Sequence, residues 1–352
     1  MSDTSLRVGL VGYGTAGAAF HAPLISTTAG LRLSAIVTAN PERRRAAAGA
    51  YPGTALLGTA EELWASAGEF DVVVVASPNR THAPLARAAL DAGLPVVVDK
   101  PLTATAAEGT TLVRLAAERG LLLSVYQNRR WDGDFLTARR LVDEGRLGRV
   151  LRFESRFERW RPVPKGGWRE SDDPADVGGL LYDLGSHLVD QALQLLGPAT
   201  EVYAEVHSRR AGIQVDDDVF VALRHDGDAR SHLWMSALAA AAGPRLRVLG
   251  DRGAYTKHGM DVQEDALKAG GRPTDEGWGE DDPARYGVLT VDGEESVVPT
   301  EPGAYQRFYS GLAAALRDGG PPPVDPAGSV ATLAVLEAAR RSADGRQVVA
   351  IG

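Results

Sequence analysis

Apolar and polar positions change rhythm near residue 127 of this 352-residue chain. Before that point, short and fully apolar runs alternate with helical stretches. The runs 6–11 (LRVGLV), 31–37 (LRLSAIV), 70–76 (FDVVVVA), 95–98 and 121–126 (LLLSVY) read as buried strands, because a strand covered on both faces has no polar side. Helical stretches near 60–66, 83–92 and 104–119 separate them, the second ending at Gly93. This predicts a domain over residues 1–126 with alternating β and α elements and a parallel sheet of five or six strands.

From Gln127 a linker leads to a helix over 134–144, stopped at Gly145. Strands then dominate, at 149–157, 201–208, 217–224, 230–237 and 244–250. Val202-Tyr203-Ala204-Glu205-Val206 alternates, so one sheet face is expected to be solvated. One helix interrupts the series: Leu181, Leu184, Leu188, Ala192 and Leu195 recur at helical spacing behind Gly178-Gly179. Residues 268–286 read as a long loop, and Asp325 caps a last helix over 327–342 after Pro321-Pro322-Pro323. The expected architecture is an N-terminal α/β domain and a C-terminal α+β domain (127–352) with a large, mostly antiparallel open sheet. The last helix is expected to return onto the first domain.

Composition narrows the chemistry. With 38 basic and 46 acidic residues, the net charge of −8 argues against nucleic acid or an anionic membrane as partner. There are no cysteines, which removes disulfides, thiolate catalysis and cysteine zinc sites. The start lacks a signal-peptide pattern and no apolar run nears the ~20 residues of a membrane span, so a cytoplasmic protein is expected.

The first strand runs into Gly12-Tyr13-Gly14-Thr15-Ala16-Gly17, with a helix start behind it and a second strand at the expected distance. Such a turn lets backbone N–H groups approach a pyrophosphate at a helix N-terminus; a tight turn without ligand is the bland alternative. After the second strand stands Thr38-Ala39-Asn40 followed by Arg43, Arg44 and Arg45, where a carboxylate would select NAD. Thr38 and Asn40 can donate hydrogen bonds and Arg43 can supply charge, which favours NADP(H) over NAD(H). Ser77-Pro78-Asn79-Arg80-Thr81-His82 and Asp99-Lys100-Pro101 follow buried strands on the ligand-binding edge of the sheet. Asp183 and His187 share a helix face, so the carboxylate can fix the imidazole's tautomer and raise its basicity; a solvated polar pair is the alternative. Asp216-Asp217-Asp218 reads as the solvated start of a strand, since metal spacing such as D-x-D-x-D-G is missing. No metal site is expected.

Together VGYGTAG (11–17), ASPNRTH (76–82), DKP (99–101) and GGLLYDLGSH (178–187) resemble the Gfo/Idh/MocA family of NAD(P)-dependent oxidoreductases from end to end. Residues 7–25, 128–137 and 157–170 are most similar to its NADP-dependent scyllo-inositol dehydrogenases. The resemblance implies a Rossmann domain, then an α/β domain whose open sheet joins subunits into a dimer or tetramer. It implies that Lys100 bonds the reacting hydroxyl, that Asp99 replaces the usual glutamate, and that Lys100–Pro101 is a cis candidate. It further implies that Gly12, Gly14 and Gly17, with Tyr13 and Thr15 between them, hold the pyrophosphate. Ser77, Pro78, Asn79 and His82 would then lie beside the nicotinamide and its ribose. Asn128, Arg129, Trp131, Asp132 and Trp168 would line a polyol pocket with Lys100, Asp183 and His187. The implied reaction is hydride transfer to or from a ring CH–OH of an inositol. A sugar or aldose dehydrogenase of the same family, or a non-catalytic NAD(P)-binding regulator, are the alternatives.

Overall fold

The computed structural model describes residues 5–351. They form two compact units, and neither is one continuous stretch. The first runs to Asn128 and takes back 263–278 and 304–330; the second has 129–262, 279–303 and 331–352.

The first unit's sheet consists of β1 (Leu6–Val11), β2 (Leu31–Val37), β3 (Ala55–Leu57), β4 (Val72–Val75), β5 (Val96–Asp99) and β6 (Leu123–Tyr126). All neighbours pair in parallel in the order β3-β2-β1-β4-β5-β6, the doubly wound arrangement. All four residues of β4 are 0% exposed, worth about 1.5–3 kcal/mol per valine, which is why this strand carries no polar residue. The helices between the strands are α1 (Ala22–Thr27), α2 (Pro41–Ala50), α3 (Ala60–Ala65), α4 (His82–Asp91) and α5 (Ala106–Glu118). Their starts are chemically marked. Asn40 caps α2 and Thr59 caps α3, while Thr105 and Glu108 form a reciprocal capping box on α5.

The second unit opens with α6 (Gly133–Asp143) and β7 (Val150–Glu158). Then come α7 (Leu180–Asp183), α8 (Gly185–Leu196), β8 (Ala199–His207), β9 (Asp218–His225), β10 (Arg230–Ser236), β11 (Leu246–Gly250) and β12 (Gly253–Lys257). After α9 (Gln263–Lys268), a first-unit helix, come β13 (Gly287–Val291) and β14 (Glu294–Val298); α10 (Gln306–Asp318) is again first-unit, and α11 (Pro326–Gly345) and β15 (Val349–Ala350) end the chain's elements. The nine strands run β14-β13-β12-β11-β7-β10-β9-β8-β15, antiparallel except for the parallel β7–β10 pair. One face carries Phe153, Phe157, Val221, Leu233 and Val248, covered by Leu188 and Val189 of α8.

One expectation is corrected: the second domain does not take everything from residue 127 onward. The first unit recovers α10 because Phe308, Tyr309 and Leu312 are buried there, Phe308 edge-on to Tyr126 at 5.0 Å. From residue 331 onward α11 is part of the second unit, where Val335, Leu336, Ala338 and Ala339 enter the core. Among the described residues, no helix is long and apolar enough to cross a membrane.

Candidate active site

In the first unit, β1 ends at a turn whose three glycines answer to different demands. Gly12 has φ +104°, and a Cβ there would lie 2.4 Å from the Ala76 carbonyl oxygen. A Cβ on Gly17 would lie 2.1 Å from the Gly12 carbonyl oxygen. Both are therefore required by the chain's own backbone. A Cβ on Gly14 would meet only the Arg43 guanidinium, at 3.8 Å. This glycine leaves its backbone face open beside a cation, a cradle that fits a pyrophosphate. A π-helical turn, Ala16–His21, follows directly where an ordinary helix start was expected; such turns concentrate at functional sites.

The same observation separates the arginines. Arg43 stands beside the glycine turn, whereas Arg44 donates to the Leu56 carbonyl at 2.5 Å. Asn40 spends its carbonyl oxygen on the N–H groups of Glu42 and Arg43, at 3.0 and 2.9 Å, which leaves its amide nitrogen to donate. Thr38 is buried and its N–H donates to Leu57 O.

Ser77 and Thr81 hydroxyls meet at 2.6 Å and Thr81 donates to Pro78 O, so the Ser77–His82 loop closes on itself around the buried Asn79. His82, expected beside the nicotinamide, points its ring into the protein: Nδ1 lies 2.7 Å from Pro101 O and Nε2 2.9 Å from Ser77 O. It can serve a cofactor only by holding this loop. The Lys100–Pro101 bond is cis, and the Lys100 N–H donates to Asp99 Oδ1 at 2.7 Å. Asp99 Oδ2 faces His21 Nε2 at 3.7 Å, and His21 Nδ1 meets Tyr309 Oη at 2.5 Å. Burial alone would raise the Asp99 pKa, but His21, Lys100 and His82 together hold it below the usual carboxylate range. Asp99 thus faces an interior histidine in addition to its place next to the lysine. Nothing local in the sequence signalled His21.

In the second unit, the helix that carries Asp183 and His187 is broken by one tightened turn at Leu184. There Asp183 N donates to Gly179 O at 3.0 Å and His187 N to Leu184 O at 3.1 Å. The start of α7 is fixed by Asp216, whose carboxylate accepts the Leu181 N–H at 2.7 Å and pairs with Arg340 at 2.6 Å. Gly179 has φ +95°, and a Cβ would lie 2.5 Å from Asp216 Oδ1. A Cβ on Gly178 would lie 2.4 Å from Ser171 O. The glycine pair thus exists because Asp216 and the 169–171 segment close directly on it. Asp216 and Asp217 are 4% and 0% exposed, so the expected solvated strand start is a buried anchor. Asp217 accepts from the Arg209 and Arg210 N–H groups at 2.8 and 2.9 Å.

The 169–171 segment brings a residue the sequence did not single out. Arg169 Nε lies 3.5 Å from Asp183 Oδ1, and its guanidinium stacks 4.4 Å over the Trp168 ring. Glu170 moors the segment to Arg210 at 3.0 Å. Trp168 and Asp183 therefore share one neighbourhood, with Arg169 between them, while His187 is enclosed at 6% exposure.

The 128–132 stretch, expected to line a polyol pocket, is largely enclosed. Asn128, Arg129 and Asp132 are 6%, 5% and 0% exposed, and Trp131 is half-buried. Asp132 pairs with Arg129 at 3.2 Å. Its pKa is pushed up to about 8, by burial first and then by Asp261 and Asp134, against the pull of Arg129 and Arg245. The stretch anchors α8: Arg130 grips Asp190 through two bonds of 2.8 and 2.7 Å, and Gln191 donates to Arg129 O at 2.7 Å.

Comparison with known proteins agrees with this picture. Residues 6–127 match the domain described as "Oxidoreductase family, NAD-binding Rossmann fold", and residues 139–351 its "C-terminal alpha/beta domain". The scyllo-inositol 2-dehydrogenase (NADP(+)) IolW of Bacillus subtilis is 36% identical over 98% of this chain and 96% of its own. An uncharacterized oxidoreductase of Escherichia coli, YdgJ, is 41% identical over the full length of both. The structure of yvaA from Bacillus subtilis superposes with a TM-score of 0.94 at 34% identity, with both chains covered completely. Glycine turn, lysine–proline segment and aspartate–histidine helix thus stand in the order, and over the length, of one group of enzymes: the chain belongs to the Gfo/Idh/MocA family of NAD(P)-dependent oxidoreductases.

Proposed function

We propose that this enzyme uses NADP(H) to interconvert a ring CH–OH and C=O of a polyol, with scyllo-inositol as the foremost candidate. The observation that carries the reading is the enclosed His187 one helical turn beyond Asp183, on a helix held at its start by Asp216 and along its length by Arg130 and Gln191. Such anchoring suits a base that must keep one position. When bound, the nicotinamide supplies the hydride acceptor or donor. His187 takes the proton of the hydroxyl being oxidised and returns it in the reverse direction, and Asp183 supports the charge it gains. Lys100 donates to the oxygen as negative charge develops there. Gly14 offers its open backbone to the pyrophosphate, and Arg43 beside it offers charge to a 2′-phosphate. Arg169 and Trp168 supply a donor and an apolar face next to Asp183, complementary to the edge and face of a polyol ring. The NADP-dependent inositol activity of the Bacillus subtilis relative points the same way.

The test is absorbance at the NADPH band with NADP or NAD and a panel of inositols and aldoses at alkaline pH. NADP-linked oxidation of scyllo-inositol is the expected outcome. Activity confined to aldoses would keep the residue roles and replace the substrate. Silence across the panel with NADP still bound would overturn catalysis and favour a regulator.

The outer face of the nine-stranded sheet supports self-association. Trp234 lies 5.2 Å from Phe220 under the Arg156 guanidinium, and both rings sit on the side away from the core. A homo-oligomer would cover them; a purely monomeric sedimentation profile would count against this.

A further inference from the structure

His82 opens α4 and is 1% exposed. Its two ring nitrogens sit 2.7 and 2.9 Å from the Pro101 and Ser77 carbonyl oxygens. A backbone carbonyl only accepts, so each contact requires an N–H on the ring, and a neutral imidazole has one. In either neutral tautomer a nitrogen lone pair would face a carbonyl oxygen at less than 3 Å. Turning the ring over would place C–H groups at those separations, inside the ~3.3–3.6 Å at which C–H···O contacts settle. Only the imidazolium satisfies both partners.

The surroundings make that charge conditional. Burial opposes the cation most strongly, and Lys100 adds to the opposition. Asp99 and the two carbonyls favour the cation, and the balance falls below the ordinary histidine value. His21, on the π-helical turn, holds Asp99 from its other side.

We propose that His82 is a positioning residue whose proton couples two cofactor-edge segments, the Ser77 loop and the Lys100–Pro101 step. The imidazolium bridges both; the neutral ring releases one. Because burial lowers the pKa, the bridge forms only as pH falls below the ordinary histidine range and is lost as pH rises. The neighbours at stake are Asn79 on one side and the Lys100 backbone on the other, so the proton should be felt in cofactor affinity. That second readout rests on the dinucleotide reading of the loop; the first does not.

The first readout is ¹⁵N NMR of the histidine-labelled full chain from about pH 8 down to the acid limit of the folded state, with His82 assigned by its loss in His82→Gln. The expected result is a ring with two N–H groups at the acid end that becomes one tautomer as pH rises. A single tautomer throughout would overturn the proposal. The second is the NADPH dissociation constant of wild type, His82→Gln and Asp99→Asn over the same range. Glutamine offers one donor and one acceptor, and so imitates the neutral ring. The wild-type advantage over His82→Gln should grow about three- to tenfold as pH falls, the worth of one hydrogen bond. Taking the ratio cancels the titration of the cofactor's own phosphate. Asp99→Asn should move the step to lower pH. A ratio independent of pH, or a step that ignores Asp99→Asn, would overturn the coupling. Failure of every variant to bind NADPH would strike the cofactor reading alone, with the ring nitrogens still deciding the clamp.

Discussion

The three glycines of the 12–17 turn allow binding to be separated from folding, through Gly14→Ala. At Gly12 and Gly17 a methyl group would meet backbone at 2.4 and 2.1 Å, and at Gly12 also a φ of +104°. Those substitutions are expected to destabilise, the strained φ alone costing about 1–3 kcal/mol. At Gly14 the nearest atom is a flexible arginine end at 3.8 Å and φ lies outside the left-handed region. Alanine there should leave the fold intact or stabilise it by about 0.4–1 kcal/mol through the unfolded chain, a rise of roughly 1–4 °C in Tm for a unit of this size. The same methyl would occupy the space through which a phosphate reaches the turn's N–H groups. Each hydrogen bond to a charged acceptor is worth about 1.5–3 kcal/mol, so losing one should weaken NADPH roughly 10- to 150-fold.

The assay pairs a thermal melt without cofactor with an NADPH fluorescence titration on the same sample. Unchanged melting with a much weaker dissociation constant is the expected pattern. A variant that binds NADPH within about threefold of wild type, below the loss of one charged hydrogen bond, would refute the placement of the pyrophosphate at this turn. A variant that melts several degrees lower would mean that Gly14, too, is there for the chain's own packing.

Four further outcomes are expected. His187→Ala should lose about 10²- to 10⁴-fold in kcat while NADPH affinity holds; parallel loss of both would mark a structural histidine. Arg43→Ala should cut the preference for NADP over NAD by about 10- to 100-fold in kcat/KM, as loss of one charge-assisted bond predicts. Gly179→Ala, with φ +95° and a Cβ 2.5 Å from Asp216 Oδ1, should cost about 1–3 kcal/mol, read as a lower Tm; an unchanged Tm would contradict the cap. Asp132 has a folded pKa near 8 against about 3.9 unfolded, so the stability it contributes is full below about pH 4 and gone above about pH 8. Asp132→Asn, which imitates the protonated acid, should therefore gain on wild type as pH rises from 5 to 8, and a Tm difference constant with pH would refute this.

The strands of the first sheet were legible because burial on both faces removes every polar position from them. Val72–Val75 can be little else. The glycine turn was legible for a related reason: its demands are met within a few residues and one neighbouring strand end. The edges were not. β3 has three residues, and β14 (Glu294-Glu295-Ser296-Val297-Val298) exposes four of its five, so no apolar face announces it. The helix α10 did carry a readable face in Phe308, Tyr309, Leu312 and Ala313. Its assignment to the first unit was beyond local pattern, because the ring it packs on is Tyr126.

The polar residues around the candidate site show the same limit more sharply. Three aspartates in a row, 216–218, suggest water. Asp216 is buried because Leu181, 35 positions earlier, needs a cap and Arg340 reaches it from α11. His21 looks like the unremarked end of a helix start until Tyr309, 288 positions later, closes on it. His82 fits the family motif, yet the motif does not say that both nitrogens are claimed by carbonyls of two separate segments. In each case the residue type permits several protonation and bonding states, and the partners that choose among them come from distant parts of the chain. Sequence spacing can therefore nominate Asp183, His187 and Lys100 as the candidate reacting groups, and Asp99 beside the lysine. It is silent on His21, on the helix cap that buries Asp216, and on the histidine that Asp99 faces from its other side.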